Sequence, residues 1–227
     1  MSKMRITKPK LLLVEGEDEV CFFEEMVSRL DISNIDVKPV NGKTKLKDRL
    51  KMWINTPGRE LLTSLGLVQD ADCNPDGAFA SICGALESVD LPIPEAPQEK
   101  ATDGSISVSV MILPSPDESG MLEDLCLASV ADDPAMDCLD DYMSCLEDKL
   151  DEEEFPRNPS KARVRAFLAS KGWIEEGLFE CIQEHVRFHP PNNPVVESTE
   201  VFLASRSKPR LDLGIAAQEG YWSLDHS

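Results

Sequence analysis

Aromatic residues make up only 6% of this chain, and histidine occurs three times, at positions 185, 189 and 226. No apolar run approaches the roughly 20 residues of a membrane-spanning helix, so no membrane association is expected. The N-terminal MSKMRITKPK is basic, but the apolar stretch after it is only LLLV, too short for the core of a signal peptide. Among seven cysteines there is no CxxC pair and the number is odd, which argues against a disulfide framework or a thiolate zinc site. Reduced, mostly buried thiols in a cytoplasmic protein are expected instead. No glycine-rich phosphate loop is present, and Ser115 lacks a GxSxG frame. His185 and His189 are spaced i, i+4, yet no glutamate stands between them in the HExxH sense.

Basic residues are scarce where acids are most abundant. The net charge is −19, yet residues 1–51 hold 11 basic and 9 acidic residues, and residues 157–227 hold 9 of each. Residues 52–156 hold 3 basic and 24 acidic residues, so the excess lies entirely in the middle. The broad basic face of a nucleic-acid binder is therefore missing. Two local basic strips remain, KTKLKDRLK at 43–51 and KARVR at 161–165. Both read as solvated helix faces, with phosphate contact as the alternative. Residues 117–154 carry 15 acids and a single base, Lys149. That segment reads as a solvated helical face, with a docking surface for a basic protein partner as the alternative.

The apolar pattern alternates between strands and helices. Residues 10–14 are strand-like, Gly16 permits a turn, and Val20, Phe23, Met26, Val27 and Leu30 follow at helical spacing. A second strand is expected at 36–42, then a helix capped by Thr44 with Leu46, Leu50, Trp53 and Ile54 on one face, ended by Pro57-Gly58. SLGLVQD at 64–70 is the third strand, and Phe79, Ile82, Cys83 and Leu86 line the next helix. The Pro-rich stretch 91–105 reads as an excursion, and 106–114 as a fourth strand that begins near an edge or with one face partly wet. Beyond Pro114 the pattern is helical. Met121, Leu122, Leu125 and Cys126 form one stripe, and Met136, Leu139, Met143, Leu146 and Leu150 another. After a break at 152–160 come a helix at 161–170, a long loop at 186–209 and a short helix at 211–218. The chain ends in GYWSLDHS without an obvious closing element, which leaves room for a natural protein that continues. The expected fold is α/β: a Rossmann-like, mostly parallel four-stranded sheet flanked by helices, with an additional helical C-terminal part. The expected division is a core at 8–130 and a helical extension at 131–227 packed on it.

Three acids follow directly on the apolar strands: Glu15 after the first, Asp70 and Asp72 after the third. If residues 70–72 stay extended, Asp70 and Asp72 point the same way, about 7 Å apart. The C-terminal edge of an open α/β sheet is where ligands bind. Carboxylates gathered there in apolar surroundings repel one another unless a cation neutralises them. All-oxygen ligands without a nearby histidine suit Mg²⁺ or Mn²⁺. Cys73, beside this site, reads as a passive neighbour.

In VEGEDE at 14–19, the DxD of Asp70 and Asp72, Pro116-Asp117, GMLEDL at 120–125 and SKA at 160–162, the chain resembles the Toprim domain. That domain is the catalytic metal-binding unit of topoisomerases, bacterial-type primases and OLD-family nucleases. The chain is most similar to a Toprim-like branch of bacterial and archaeal proteins defined only as a domain of unknown function. The resemblance spans roughly residues 8–220. It implies a Mg²⁺ site made by Glu15, Asp70 and Asp72, with Glu123 and Asp117 as further ligands for a second metal. Two metals about 4 Å apart activate water and steady the leaving oxygen in phosphodiester hydrolysis. Glu15 as general base is the alternative role. Lys161 is then the cation that steadies the phosphate. A topoisomerase is not expected, because the only tyrosines are Tyr142 and Tyr221, neither near a plausible winged helix. The ATPase half of OLD-type proteins is missing, since there is no P-loop. The expected function is a Mg²⁺-dependent nuclease or phosphodiester hydrolase acting on DNA or RNA. The alternative is a non-catalytic metal-binding regulatory module whose acidic helices dock a protein.

Overall fold

Four consecutive apolar residues, Leu11 to Val14, form a strand buried on both faces, β1 (Lys10–Val14), which lies inside the sheet. Such a continuous run is the signature of a parallel strand covered by helices on either side. The computed structural model describes residues 5–171. The expected loop at 186–209, the helix at 211–218 and the pair His185/His189 lie outside the described residues.

β1 pairs in parallel with β2 (Ile35–Pro39) on one side and β3 (Ser64–Asp70) on the other. β3 pairs in parallel with β5 (Ser107–Leu113), and the sheet order is β2-β1-β3-β5-β4. The chain leaves β1 towards β2 and then returns across it to β3. The C-terminal ends of β1 and β3 therefore flank a topological switch point, where open α/β sheets bind ligands.

Strand alternation divides the core into two layers. Leu11, Leu13, Leu65 and Leu67 pack with Leu46, Leu50, Trp53, Ile82 and Leu86 from α2 (Leu46–Ile54) and α3 (Pro75–Glu87). Leu12, Val14, Val68 and Met111 pack on the other face with Phe22, Phe23, Met26, Leu122 and Leu125 from α1 (Glu17–Arg29) and α4 (Leu122–Ala128). A third cluster joins α4 to α5 (Ala135–Lys149) and α6 (Pro159–Ser170) through Leu127, Leu139, Val164 and Phe167. Asn74 and Asn158 cap α3 and α6, their side-chain oxygens accepting the N–H of Gly77 and Lys161 at 2.9 Å each.

Three expectations need correction. The sheet has five strands, because the excursion at 91–105 contains β4 (Lys100–Thr102), antiparallel to β5. Three residues are too few to show a period; β5 lies next to this edge strand, with Ser107 at its start half-buried and Ser109 buried. Thr44 makes no cap. A 3-10 turn at Lys43–Lys45, closed by Lys45 N–H donating to the Gly42 carbonyl at 2.9 Å, leads straight into α2. The described cysteines are not mostly buried: Cys73, Cys138 and Cys145 are exposed, and Cys21, Cys83 and Cys126 are half-buried. Cys126 packs against the core beside Leu122 and Leu125, while Cys138 and Cys145 lie on the exposed side of α5.

The Pro57-Gly58 stop after α2 depends on its glycine. Gly58 has φ +93°, and a Cβ there would stand 2.2 Å from the Ile6 carbonyl oxygen. Ile6 is itself held by donating its N–H to the Pro57 carbonyl at 2.9 Å. Gly58→Ala is expected to lower stability by about 1–3 kcal/mol, read as an earlier midpoint in urea titration. An unchanged midpoint would refute this account of the turn.

Candidate functional site

The end of β1 turns sharply at Gly16 and enters α1, and Glu19 in the first turn of that helix reaches back to accept the Gly16 N–H at 2.8 Å. This one-way cap needs a glutamate three residues after the turn, since Gly16 has no side chain to return a bond. It leaves Glu19 buried, only 8% exposed, beside the strand ends. Asp70, the last residue of β3, is equally buried, and its Oδ1 accepts the N–H of Leu122 at 3.1 Å. Glu123, the next residue along α4, is 6% exposed.

The GMLEDL segment has a geometry of its own. Gly120 has φ +138°, and a Cβ there would stand 2.7 Å from Asp124 Oδ2. Asp124 Oδ2 accepts the Met121 N–H at 2.8 Å, and its Oδ1 accepts the Ser160 hydroxyl at 2.5 Å. The SKA segment is thereby fixed against α4. Lys161 Nζ stands 3.3 Å from Glu123 Oε1 and 3.9 Å from Asp18 Oδ2.

Residues 70–72 do not stay extended. β3 ends at Asp70, and Asp72 takes a left-handed φ of 51°. Its N–H donates to the Gly120 carbonyl at 2.8 Å, and the Gly120 N–H donates back at 2.6 Å. This two-bond bridge turns the chain away from the sheet, and aspartate tolerates the left-handed conformation better than most residues. The Asp70 carboxylate therefore points into the protein towards α4, while that of Asp72 is 54% exposed and pairs with Lys43.

Lys43, expected on a solvated basic strip, instead reaches into the site. Its ammonium donates to the Asp70 carbonyl oxygen at 2.9 Å, binds Asp72 Oδ2, and stands 3.7 Å from Glu15 Oε2. Glu15 Oε2 is buried and accepts no hydrogen bond. The other strip is also tied down in part, since Arg163 pairs with Asp140.

Electrostatics follow from this crowding. Burial pushes Asp70 up to about 8, and the neighbouring Glu19, Glu15 and Glu123 add to the effect. Burial also raises Glu15 above the ordinary carboxylate range; Lys43 opposes the rise, and Glu19 and Asp72 reinforce it. Glu19 is raised by burial against its own hydrogen bonds. Burial works against the Lys161 ammonium, yet Glu123, Asp18 and Glu19 together hold its pKa above the usual lysine value.

Of the predicted residues, Glu15, Asp70, Asp72, Glu123 and Lys161 thus belong to one region at the switch point. Asp117 lies exposed in the turn between Ser115 and Glu118 that follows β5, and among the described residues no hydrogen bond or ion pair joins it to the others. Nor do three acids, cysteines or histidines among the described residues converge on one point as a ready-made metal cage. The donor chemistry nonetheless fits a hard cation. It is all oxygen, it carries more acid than base, and one buried carboxylate oxygen has no hydrogen-bond donor. Glu19 was missed as a site member, although its signal lay in the sequence as the last glutamate of VEGEDE.

A family profile described as "Protein of unknown function (DUF3226)" matches residues 9–206. No curated protein matches the sequence. Among solved structures, the chain is similar to the hypothetical protein PH0156 from Pyrococcus horikoshii OT3, at 14% identity and a TM-score of 0.58, over 88% of this chain and 95% of that one. That likeness is one of fold. The C-terminal region of the Xanthomonas campestris pv. campestris OLD protein aligns at 14% identity and a TM-score of 0.45, over 88% of this chain and 96% of that one. The corresponding region of the Burkholderia pseudomallei OLD protein aligns at 14% identity and 0.41, over 88% and 99%. No described helix is long and apolar enough to cross a membrane.

Proposed function

The chain belongs to the DUF3226 family, and we propose that it is a Toprim-like, Mg²⁺-dependent nuclease or phosphodiester hydrolase acting on nucleic acid. The observation that carries this reading is the set of buried or half-buried acids at the β1/β3 switch point: Glu15, Glu19, Asp70 and Glu123. Burying that many carboxylates together has a large electrostatic cost. Caps and helix contacts account for the hydrogen bonds of Glu19 and Asp70 but leave Glu15 Oε2 unmatched. Glu15, Asp70 and Asp72 would hold Mg²⁺ or Mn²⁺, with Glu123 and Glu19 behind them. When bound, the cation polarises a phosphoryl oxygen and lowers the pKa of a bound water.

The protein's own groups supply the remaining parts of the site. Lys161, held by Asp124 through Ser160 and paired with Glu123, offers a fixed positive charge to a phosphate. The exposed side of Asp72 leaves the strand ends open to a polymer. The net charge of −19 opposes nucleic-acid approach, so salt and divalent cations are expected to speed cleavage up to the point where screening is complete.

The test is cleavage of supercoiled and single-stranded DNA and of RNA with Mg²⁺ or Mn²⁺. Asp70→Asn keeps an oxygen for the Leu122 N–H but not the charge, so its rate is expected to fall by roughly a hundredfold or more. Cleavage by this variant at the parent's rate would overturn the catalytic reading. A second reading is favoured by the exposed acids of α5, which include Asp137, Asp141, Glu147 and Asp148. In it the site binds metal without cleaving, and α5 docks a basic protein. That reading gains if Mn²⁺ raises the melting temperature of the parent alone while neither protein cleaves.

A further inference from the structure

We propose that Lys43 is a built-in counter-cation that a divalent ion must displace to bind, so that this lysine sets the metal affinity of the site. The inference rests on the metal-dependent reading above and concerns how that site is regulated.

Three oxygens surround the Lys43 ammonium: the Asp70 carbonyl, Asp72 Oδ2 and Glu15 Oε2. Two of them belong to carboxylates proposed to hold the cation. The ammonium thus takes the place that a cation shared by Glu15 and Asp72 would take, and both cannot be there together. Ammonium is a poor match for this set in reach, not in donor number: its three N–H groups equal the three oxygens, yet only two of those oxygens lie within hydrogen-bond distance. It leaves Glu15 Oε2 without a hydrogen bond at 3.7 Å. A divalent ion carries twice the charge and prefers carboxylate and carbonyl oxygen at short distance.

The position of Lys43 is not incidental. Asn41 and Gly42, both with positive φ, donate their N–H groups to the Glu15 carbonyl at 2.9 and 3.2 Å. Val40 N–H donates to the Val14 carbonyl at 2.8 Å, and Arg49 Nε donates to the Val40 carbonyl at 3.1 Å. The turn that delivers Lys43 is therefore bolted to the strand end that carries Glu15. A Cβ at Gly42 would meet nothing within 4 Å, so its glycine is there for φ +111° and not for close packing. The side chain is 28% exposed, which gives the ammonium a route out to solvent while its backbone stays fixed.

The experiment is Mn²⁺ titration by calorimetry at fixed ionic strength on the parent, Lys43→Met, Lys43→Arg and Lys47→Met. Lys43→Met keeps the apolar stem and removes the competing charge, so it is expected to bind Mn²⁺ roughly tenfold more tightly than the parent. Lys43→Arg keeps the charge and is expected to bind at most as tightly as the parent. Lys47 is an exposed lysine on α2, and its loss controls for net charge with affinity unchanged. Melting curves in chelator show that each variant is folded. If the parent binds Mn²⁺ and Lys43→Met binds equally or more weakly, this inference fails alone. If none of the four binds Mn²⁺, the metal-dependent reading fails and the inference with it.

Discussion

In chelator at pH 9, Asp70→Asn is expected to melt higher than the parent protein, by roughly 5–10 °C. Asp70 titrates at about 8 in the folded protein, against an ordinary value of 3.8, because it is buried and faces Glu19, Glu15 and Glu123. Between these two values the folded state keeps a proton that the unfolded chain has released. Stability from this group is therefore fully present below about pH 4, falls as pH rises, and is lost once pH passes about 8. Asparagine cannot ionise, so the variant escapes that loss, and its side-chain oxygen still accepts the Leu122 N–H. Saturating Mg²⁺ or Mn²⁺ is expected to close most of that gap. A cation held by the ionised parent at about a hundred times its dissociation constant adds about 2.7 kcal/mol, and the variant gains little. Thermal melts at pH 5 to 9, with and without metal, measure both effects. Parallel pH profiles for the two proteins would sink the account of Asp70.

Phe23→Ala is expected to cost about 3–5 kcal/mol, lowering the melting temperature by roughly 10 °C or more. Phe23 is fully buried, and its ring meets that of Phe22 edge to face with centroids 5.2 Å apart. It sits between α1 and the β1 face formed by Leu12 and Val14, the strand that leads directly to Glu15. Truncation opens a cavity at the point where α1 is held to the sheet. Since α1 carries Glu19 in its first turn, Mn²⁺ affinity should weaken along with stability. A loss below about 1 kcal/mol in urea titration would mean that the helix relaxes onto the strand, and would contradict the rigid packing described here.

These two residues differ in how far the sequence announced them. Phe23 was legible as a core position, since its spacing with Val20, Met26 and Leu30 is helical. Asp70 was legible as a candidate because it closes an apolar strand in the third βα unit. Its burial against α4, and hence its altered titration, was not legible, because Leu122 lies 52 residues away. Glu123 and Lys161 were reached through resemblance, but their pairing with each other depends on Ser160 locking α6 to Asp124. Asp117 resembled them in sequence and proved to be an exposed turn residue.

The sequence by itself determined the order of the four parallel strands and of the helices around them, and the placement of Glu15 and Asp70 at strand ends. It could do so because those features arise from local periodicity, turn residues and the rule that crossovers between parallel strands are right-handed. The tertiary structure alone decided the company each acid keeps. It paired Asp72 with Gly120, which turned that carboxylate outwards, and it brought Lys43 across from the turn after β2. Neither contact leaves a mark on local pattern. Each arises because the parallel register brings segments distant in the chain to one edge of the sheet.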